Sequence, residues 1–201
     1  MQPFKKIISQ VVPIPLNDID TDMIIPAQYL TSISKEGYGE NCFRRLRDED
    51  KNFPLNQDDY KNSKILVAQH NFGCGSSREH AVWALMGWGF RVVIAVSFAD
   101  IFKSNSGKNG MVLVELPEEV VMEIVNASES GEYQVSVDLE SQVLTLPDGA
   151  SHKFPYDQFR KSCILKGYDD LDYLMSRKKK IENFQKKREE NLFYSTLNSN
   201  R

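Results

Sequence analysis

His70-Asn71-Phe72-Gly73-Cys74-Gly75-Ser76-Ser77-Arg78-Glu79-His80-Ala81 is the stretch on which the reading of this chain turns. An apolar run, Ile65-Leu66-Val67-Ala68, precedes it. A helical pattern carrying Ala81, Val82, Trp83, Leu85 and Met86 follows it, with Gly87 and Gly89 as stop signals. Strand, glycine-rich turn and helix start bring together two hydroxyls, an arginine and free backbone N–H groups. Such a turn is an anion site with a candidate base in it.

Working outward, the same rhythm repeats. Arg91-Val92-Val93-Ile94-Ala95-Val96 and the run 111–116 read as further strands, apolar on consecutive positions and so buried on both faces. Ser97-Phe98-Ala99-Asp100-Ile101-Phe102 starts a helix between them, ending near 107–110, and Pro117-Glu118-Glu119 opens the next. Residues 133–139, 143–146 and 151–154 alternate apolar and polar, with Pro147-Asp148-Gly149 as a turn, which predicts an antiparallel meander. A helix is expected over 156–165.

Before the central stretch, residues 7–12 form a short β-like run ended by Pro13 and Pro15, which cannot donate to a central ladder. The acidic segment Asp18-Ile19-Asp20-Thr21-Asp22 follows as a loop, then Met23-Ile24-Ile25 closed by Pro26. Residues 27–47 predict one or two short helices split by Gly37 and Gly39, and 48–63 a long surface loop. The class is therefore α/β or α+β in three layers. The expected division is a domain over 1–168 and a C-terminal helical tail over 169–201, exposed and charged.

Composition narrows the function. A net charge of −3 and a pI near 5.7 give no bulk reason to expect nucleic acid as partner. No apolar run approaches the ~18 residues of a membrane span. The opening Met1-Gln2-Pro3-Phe4-Lys5-Lys6 has no apolar core of a signal peptide, so a cytoplasmic setting is expected. Cys42, Cys74 and Cys163 are far apart and form no C-x-x-C pair, which argues against disulfides, structural zinc or an iron–sulfur cluster held by this chain alone. His70, His80 and Cys74 lack a fourth ligand at metal spacing. Asp18-x-Asp20-x-Asp22 begins like a calcium loop but has Met23 at its sixth position and Tyr29 at its twelfth. The basic run Arg177-Lys178-Lys179-Lys180 with Lys186-Lys187-Arg188 is balanced by Glu182, Glu189 and Glu190 and reads as a solvated helix face, with RNA binding the lesser alternative.

Three better-known glycine turns fail on the central stretch. A dinucleotide fingerprint needs glycine where Arg78 stands, a P-loop needs a terminal lysine, and a nucleophile elbow needs glycines where Cys74 and Arg78 flank Ser76. Ser76-x-x-Glu79 has the spacing of a capping box, the bland reading of that serine. It leaves Arg78 unexplained, because a cation in a helix's first turn opposes the dipole unless it binds an anion. A small carboxylate would suit.

Asp20-Thr21-Asp22-Met23-Ile24-Ile25-Pro26, the central stretch and Ser97-Phe98-Ala99-Asp100-Ile101-Phe102, in that order and spacing, resemble the small subunits of 3-isopropylmalate dehydratases, a family of the aconitase superfamily. The similarity runs over about residues 4–173. The resemblance implies a β/β/α swivelling domain and a separate large subunit carrying a [4Fe–4S] cluster, whose iron acts as Lewis acid on the departing hydroxyl. It implies an active site between the two chains, interconverting 2- and 3-isopropylmalate through 2-isopropylmaleate in leucine biosynthesis. By motif position Ser76 would be the catalytic base, Ser77, Arg78 and Gly75 would bind substrate, and Asp22 would position Arg78 or the substrate; no metal is assigned to this chain. Relatives commonly have Arg-Thr-Gly-Phe-Gly at Lys35-Glu36-Gly37-Tyr38-Gly39, Asp-Trp-Arg at Arg45-Leu46-Arg47 and proline at Val82. The first difference leaves open a related substrate such as citraconate/2-methylmalate, maleate or homoaconitate. Ile25, Tyr29 and Leu30 are candidates for an apolar side-chain pocket.

Overall fold

The structure is a computed structural model, and it describes residues 1–30, 34–129 and 131–199, with side chains up to 189. Two compact units divide it, Met1–Gly167 and Tyr168–Arg201. In chain order the first unit contains β1 (Lys6–Pro13), α1 (Thr21–Ile24), α2 (Arg44–Glu49), β2 (Ile65–Val67), α3 (Glu79–Trp88) and β3 (Val92–Ala95). It continues with α4 (Asp100–Asn109), β4 (Val112–Glu115), α5 (Glu118–Ser128), β5 (Gln134–Asp138), β6 (Val143–Thr145), β7 (Ser151–Lys153) and α6 (Gln158–Lys166).

The strands form one mixed sheet in the order β4-β3-β2-β1-β5-β6-β7. The fold is α/β. β1 is the hinge of this arrangement because it pairs with two neighbours in succession. Lys6 to Gln10 run antiparallel to β5, from Lys6 opposite Asp138 to Gln10 opposite Gln134. Val11, Val12 and Pro13 then run parallel to β2, opposite Ile65, Leu66 and Val67. The prolines do not keep this strand from the centre, contrary to the expectation from sequence. Pro13 occupies the last rung, where its missing N–H costs nothing, and Ile14 N–H makes the next bond, to Val67 C=O at 2.9 Å.

The parallel half is covered on both faces. Val12, Leu66, Val93 and Leu113 point into a core shared with α3, α4 and the segment before β2. Val11, Ile65, Val67, Val92, Ile94, Val112 and Val114 point into a second core with α5, α6 and the meander. Opposite faces on alternate residues explain why these runs are apolar throughout. Each buried aliphatic side chain contributes roughly 1.5–3 kcal/mol, an upper figure because the unfolded chain is itself partly collapsed.

Three further expectations are corrected. Residues 48–63 are not a plain surface loop: Phe53, Leu55 and Tyr60 are buried and the Tyr60 hydroxyl donates to Ser128 C=O at 2.8 Å. The acidic segment is not all loop: from Thr21 the chain forms the one-turn helix α1, with the Asp20 carboxylate accepting Met23 N–H at 2.7 Å as its N-cap. Gly87 is not a stop signal; it lies within α3, where a Cβ would meet Gly39 N at 2.8 Å, and Gly89 alone serves as the C-cap. The pair of glycines lets the segment at Gly39 lie directly on α3.

The second unit consists of α7 (Asp170–Ser176), opened by a capping box in which Asp169 and Asp172 exchange backbone hydrogen bonds, and α8 (Lys178–Ser199). Leu171, Leu174, Met175, Ile181 and Phe184 are exposed along it. Among the described residues no helix is long and apolar enough to cross a membrane.

Candidate active site

β1 and β2 end at the same edge of the sheet, and the chain leaves each through one of the two motifs singled out by sequence. In open α/β sheets the crevice outside the carboxyl ends of the strands is where ligands bind. Here the two turns are stitched together. Gly73 N–H donates to Ile19 C=O at 2.7 Å, Thr21 N–H to Cys74 C=O at 3.0 Å and the Thr21 hydroxyl to Ser76 C=O at 3.1 Å.

Backbone conformation in the central turn demands its glycines. Gly73 has φ +78° and Gly75 φ +87°, in the left-handed region. A Cβ on Gly73 would lie 2.2 Å from Phe102 Cγ, so the turn rests directly on that ring. Asn71, at φ +57°, takes a third left-handed position, its side chain donating to Asp18 Oδ1 at 2.7 Å and its N–H to Ser97 Oγ at 2.9 Å. Sequence reasoning passed over both Asn71 and Thr21. An asparagine two residues before a glycine is the signal that marks the first; Thr21 has none short of the fold.

The capping box expected at Ser76-x-x-Glu79 does not form. α3 begins at Glu79, its N-cap is Arg78, and no side chain caps it. The bonds from Thr21 hold Cys74 and Ser76 toward the first motif and so delay the helix. Glu79 points elsewhere, its Oε1 accepting Asn109 Nδ2 at 2.7 Å. Ser76 and Ser77 are exposed, and among the described residues neither their hydroxyls nor their backbone N–H groups have a partner. Exposed Gly75 precedes them.

Arg78 Nη1 donates to Asp22 Oδ1 in a close ion pair. The Arg78 side chain is 19% exposed and that of Asp22 46%. The other guanidinium N–H groups make no hydrogen bond among the described residues. An arginine held on one side by a carboxylate and open on the other is an oriented fork for a second carboxylate. The three aspartates of the acidic segment thus have separate partners: Asp18 takes Asn71, Asp20 caps α1 and Asp22 holds Arg78.

His80 packs edge-on against Tyr38 and Trp83, with ring centroids 5.2 and 4.7 Å away, and His70 Nε2 lies 3.4 Å from Glu118 Oε1. Burial pushes the Cys74 thiol up, and Asp20 and Asp18 add to the shift, so it is a poor thiolate here. Ile25 is fully buried in the core; Tyr29 and Leu30 are half-buried at the edge of the first core. Among the described residues no three His, Cys, Asp or Glu side chains converge to hold a metal ion.

The Aconitase C-terminal domain family matches residues 1–119, and LeuD_N matches residues 122–157. A 3-isopropylmalate dehydratase small subunit of Francisella philomiragia is 48% identical over 185 residues, covering 92% of this chain and 97% of that protein. One from Parvibaculum lavamentivorans is 44% identical over 196 residues, covering 94% and 98%. The crystal structure of 3-isopropylmalate dehydratase (leuD) from Methanocaldococcus jannaschii superposes with a TM-score of 0.65 at 29% identity, covering 89% of this chain and 98% of that one. With an aconitase-type domain over more than half its length and relatives of this identity along nearly all of it, the chain belongs to the family of 3-isopropylmalate dehydratase small subunits.

Proposed function

We propose that this chain is the substrate-carboxylate half of a hydro-lyase that interconverts 2-isopropylmalate and 3-isopropylmalate through 2-isopropylmaleate, in the cytoplasm and in complex with a large subunit. In this reading residues 1–168 act as the swivelling domain. The observation that carries it is the Arg78–Asp22 pair, whose remaining N–H groups, like the Ser76 and Ser77 hydroxyls, have no partner among the described residues. Arg78 binds a substrate carboxylate through that fork. Ser77 and the backbone at Gly75 add donors, and Asp22 fixes the guanidinium. Ser76, as its alkoxide, removes the proton from the carbon beside that carboxylate, and returns it there in the reverse direction. A free serine hydroxyl is far too weak a base for this; the unengaged N–H groups before α3 and the Arg78 charge are what stabilise the alkoxide.

The donor set of this chain does not fit a metal or cluster, since among the described residues no three acids, histidines or cysteines lie together and the three cysteines are far apart in sequence. In this reading a [4Fe–4S] cluster belongs to the large subunit, as the family resemblance implies, and would supply the Lewis acid for the departing hydroxyl. A specific difference keeps a second substrate in view. Lys35-Glu36-Gly37-Tyr38-Gly39 departs from the relatives' common pattern and packs on α3 through Tyr38, which favours testing a smaller γ-substituent as in citraconate/2-methylmalate. The reconstituted pair of subunits should hydrate 2-isopropylmaleate with kcat/KM at least about tenfold above citraconate, the discrimination an apolar pocket gains from extra methyl groups. A preference for citraconate would replace the isopropyl assignment by the second reading.

A further inference from the structure

Asn109, the last residue of α4, is 9% exposed and spends the whole hydrogen-bonding capacity of its side-chain amide. Its Oδ1 accepts Trp83 Nε1 at 3.1 Å and Lys35 Nζ at 3.0 Å. Its Nδ2 donates to Glu79 Oε1 at 2.7 Å and to Asn105 C=O at 2.9 Å. The orientation of the amide is fixed by chemistry, since an indole and an ammonium can only donate while a backbone carbonyl can only accept. One buried amide therefore joins α3, α4 and the segment around Lys35. That segment is also held to α3 by the Lys35 ammonium, 5.3 Å from the Trp83 ring centre, and by Tyr38 against His80.

Glu79 follows Arg78 directly and is the first residue of α3. A free carboxylate there would compete for the same guanidinium and the same helix-start N–H groups that a substrate carboxylate needs. In the structure Glu79 is engaged by Asn109, and Asp22 is the ion-pair partner of Arg78 among the described residues. We propose that Asn109 is a positioning residue: it turns the Glu79 carboxylate away from Arg78 and, through Lys35, fixes the adjoining segment on α3, so that Arg78 stays open to a substrate carboxylate. The inference rests on the hydro-lyase reading above, because it is the substrate carboxylate of that reaction that Glu79 is kept from displacing.

The test uses the reconstituted complex with 2-isopropylmaleate. Asn109→Asp keeps the acceptor toward Trp83 and Lys35 but sets a second carboxylate against Glu79 and releases it. KM should rise about tenfold or more, with kcat changed by less than about threefold, since binding and not the proton step is affected. Adding Glu79→Gln returns a donor to the pair with its direction reversed, and KM should fall back to within about threefold of the wild type. A merely structural role would lower the melting temperature and the active fraction at unchanged KM, or give a KM rise that the second substitution leaves in place; either result overturns the proposal. Should Asn109→Asp fail to assemble, Lys35→Met on the exposed arm must raise KM with the melting temperature kept, and an unmoved KM overturns it equally. Wild-type turnover with unmoved KM in the variants removes this inference alone, whereas a wild-type complex inactive on isopropylmalates removes the hydro-lyase reading and this inference with it.

Discussion

Arg78 and Cys74 stand four residues apart in the same turn and owe opposite properties to the same acidic neighbourhood. Asp22 orients Arg78, and among the described residues the rest of its fork makes no hydrogen bond. Replacing Arg78 by lysine keeps the charge but turns the fork into a point charge, so KM for the dicarboxylate should rise about tenfold while kcat changes less. Unchanged KM in the assembled complex would count against a carboxylate clamp. At Cys74, burial and then Asp20 and Asp18 hold the thiol above the ordinary cysteine range. The thiolate is the reactive form, so raising the pKa lowers its fraction at neutral pH. A colorimetric thiol reagent should therefore modify Cys74 slowly at pH 7 and faster as pH climbs past the ordinary range, with buried Cys42 and Cys163 silent until unfolding. Rapid modification at pH 7 would contradict that electrostatic account. At this scale the sequence singles out Ser76, Arg78 and Asp22 as candidates, and the structure sets Arg78 against Asp22. Their partners were not legible in the sequence, because the Arg78–Asp22 and Thr21–Ser76 contacts join positions 56 and 55 residues apart.

The strand–turn–helix element shows why a local motif misled. Ser76-x-x-Glu79 has capping-box spacing, yet tertiary bonds from Thr21 hold the turn and the helix starts later, leaving the serine exposed. The same limitation explains Gly87, taken from sequence as a stop but required by the close approach of Gly39, and residues 48–63, whose polarity hid the buried Phe53, Leu55 and Tyr60. Long apolar strands and the alternating meander were readable because their periodicity is local and repeated. Gly73 tests the element as a whole. A methyl there combines a left-handed backbone with overlap on Phe102, and Gly73→Ala should destabilise by about 2–4 kcal/mol. For a chain of this size that corresponds to a melting temperature roughly 10 °C lower, readable by calorimetry. A change of under about 2 °C would mean that the turn is looser than this packing implies.

On the scale of the whole molecule, the two-faced pairing of β1 sets the parallel half beside the antiparallel meander. The two motif-bearing turns then meet where β1 and β2 end. Strand order was beyond the sequence, since nothing local says that a short run closed by prolines will be the centre of a seven-stranded sheet. What this edge presents, among the described residues, is an arginine oriented by Asp22 and a serine hydroxyl without a partner, with no metal donor set. The proposal that Ser76 carries the proton chemistry, once a large subunit completes the site, is what the functional reading depends on. The most direct measurement is hydration of 2-isopropylmaleate by the reconstituted complex, wild type against Ser76→Ala, with assembly and melting temperature followed in parallel. The account predicts kcat lower by at least about 10²-fold with assembly and melting temperature retained. Undiminished turnover by the Ser76→Ala complex would contradict it.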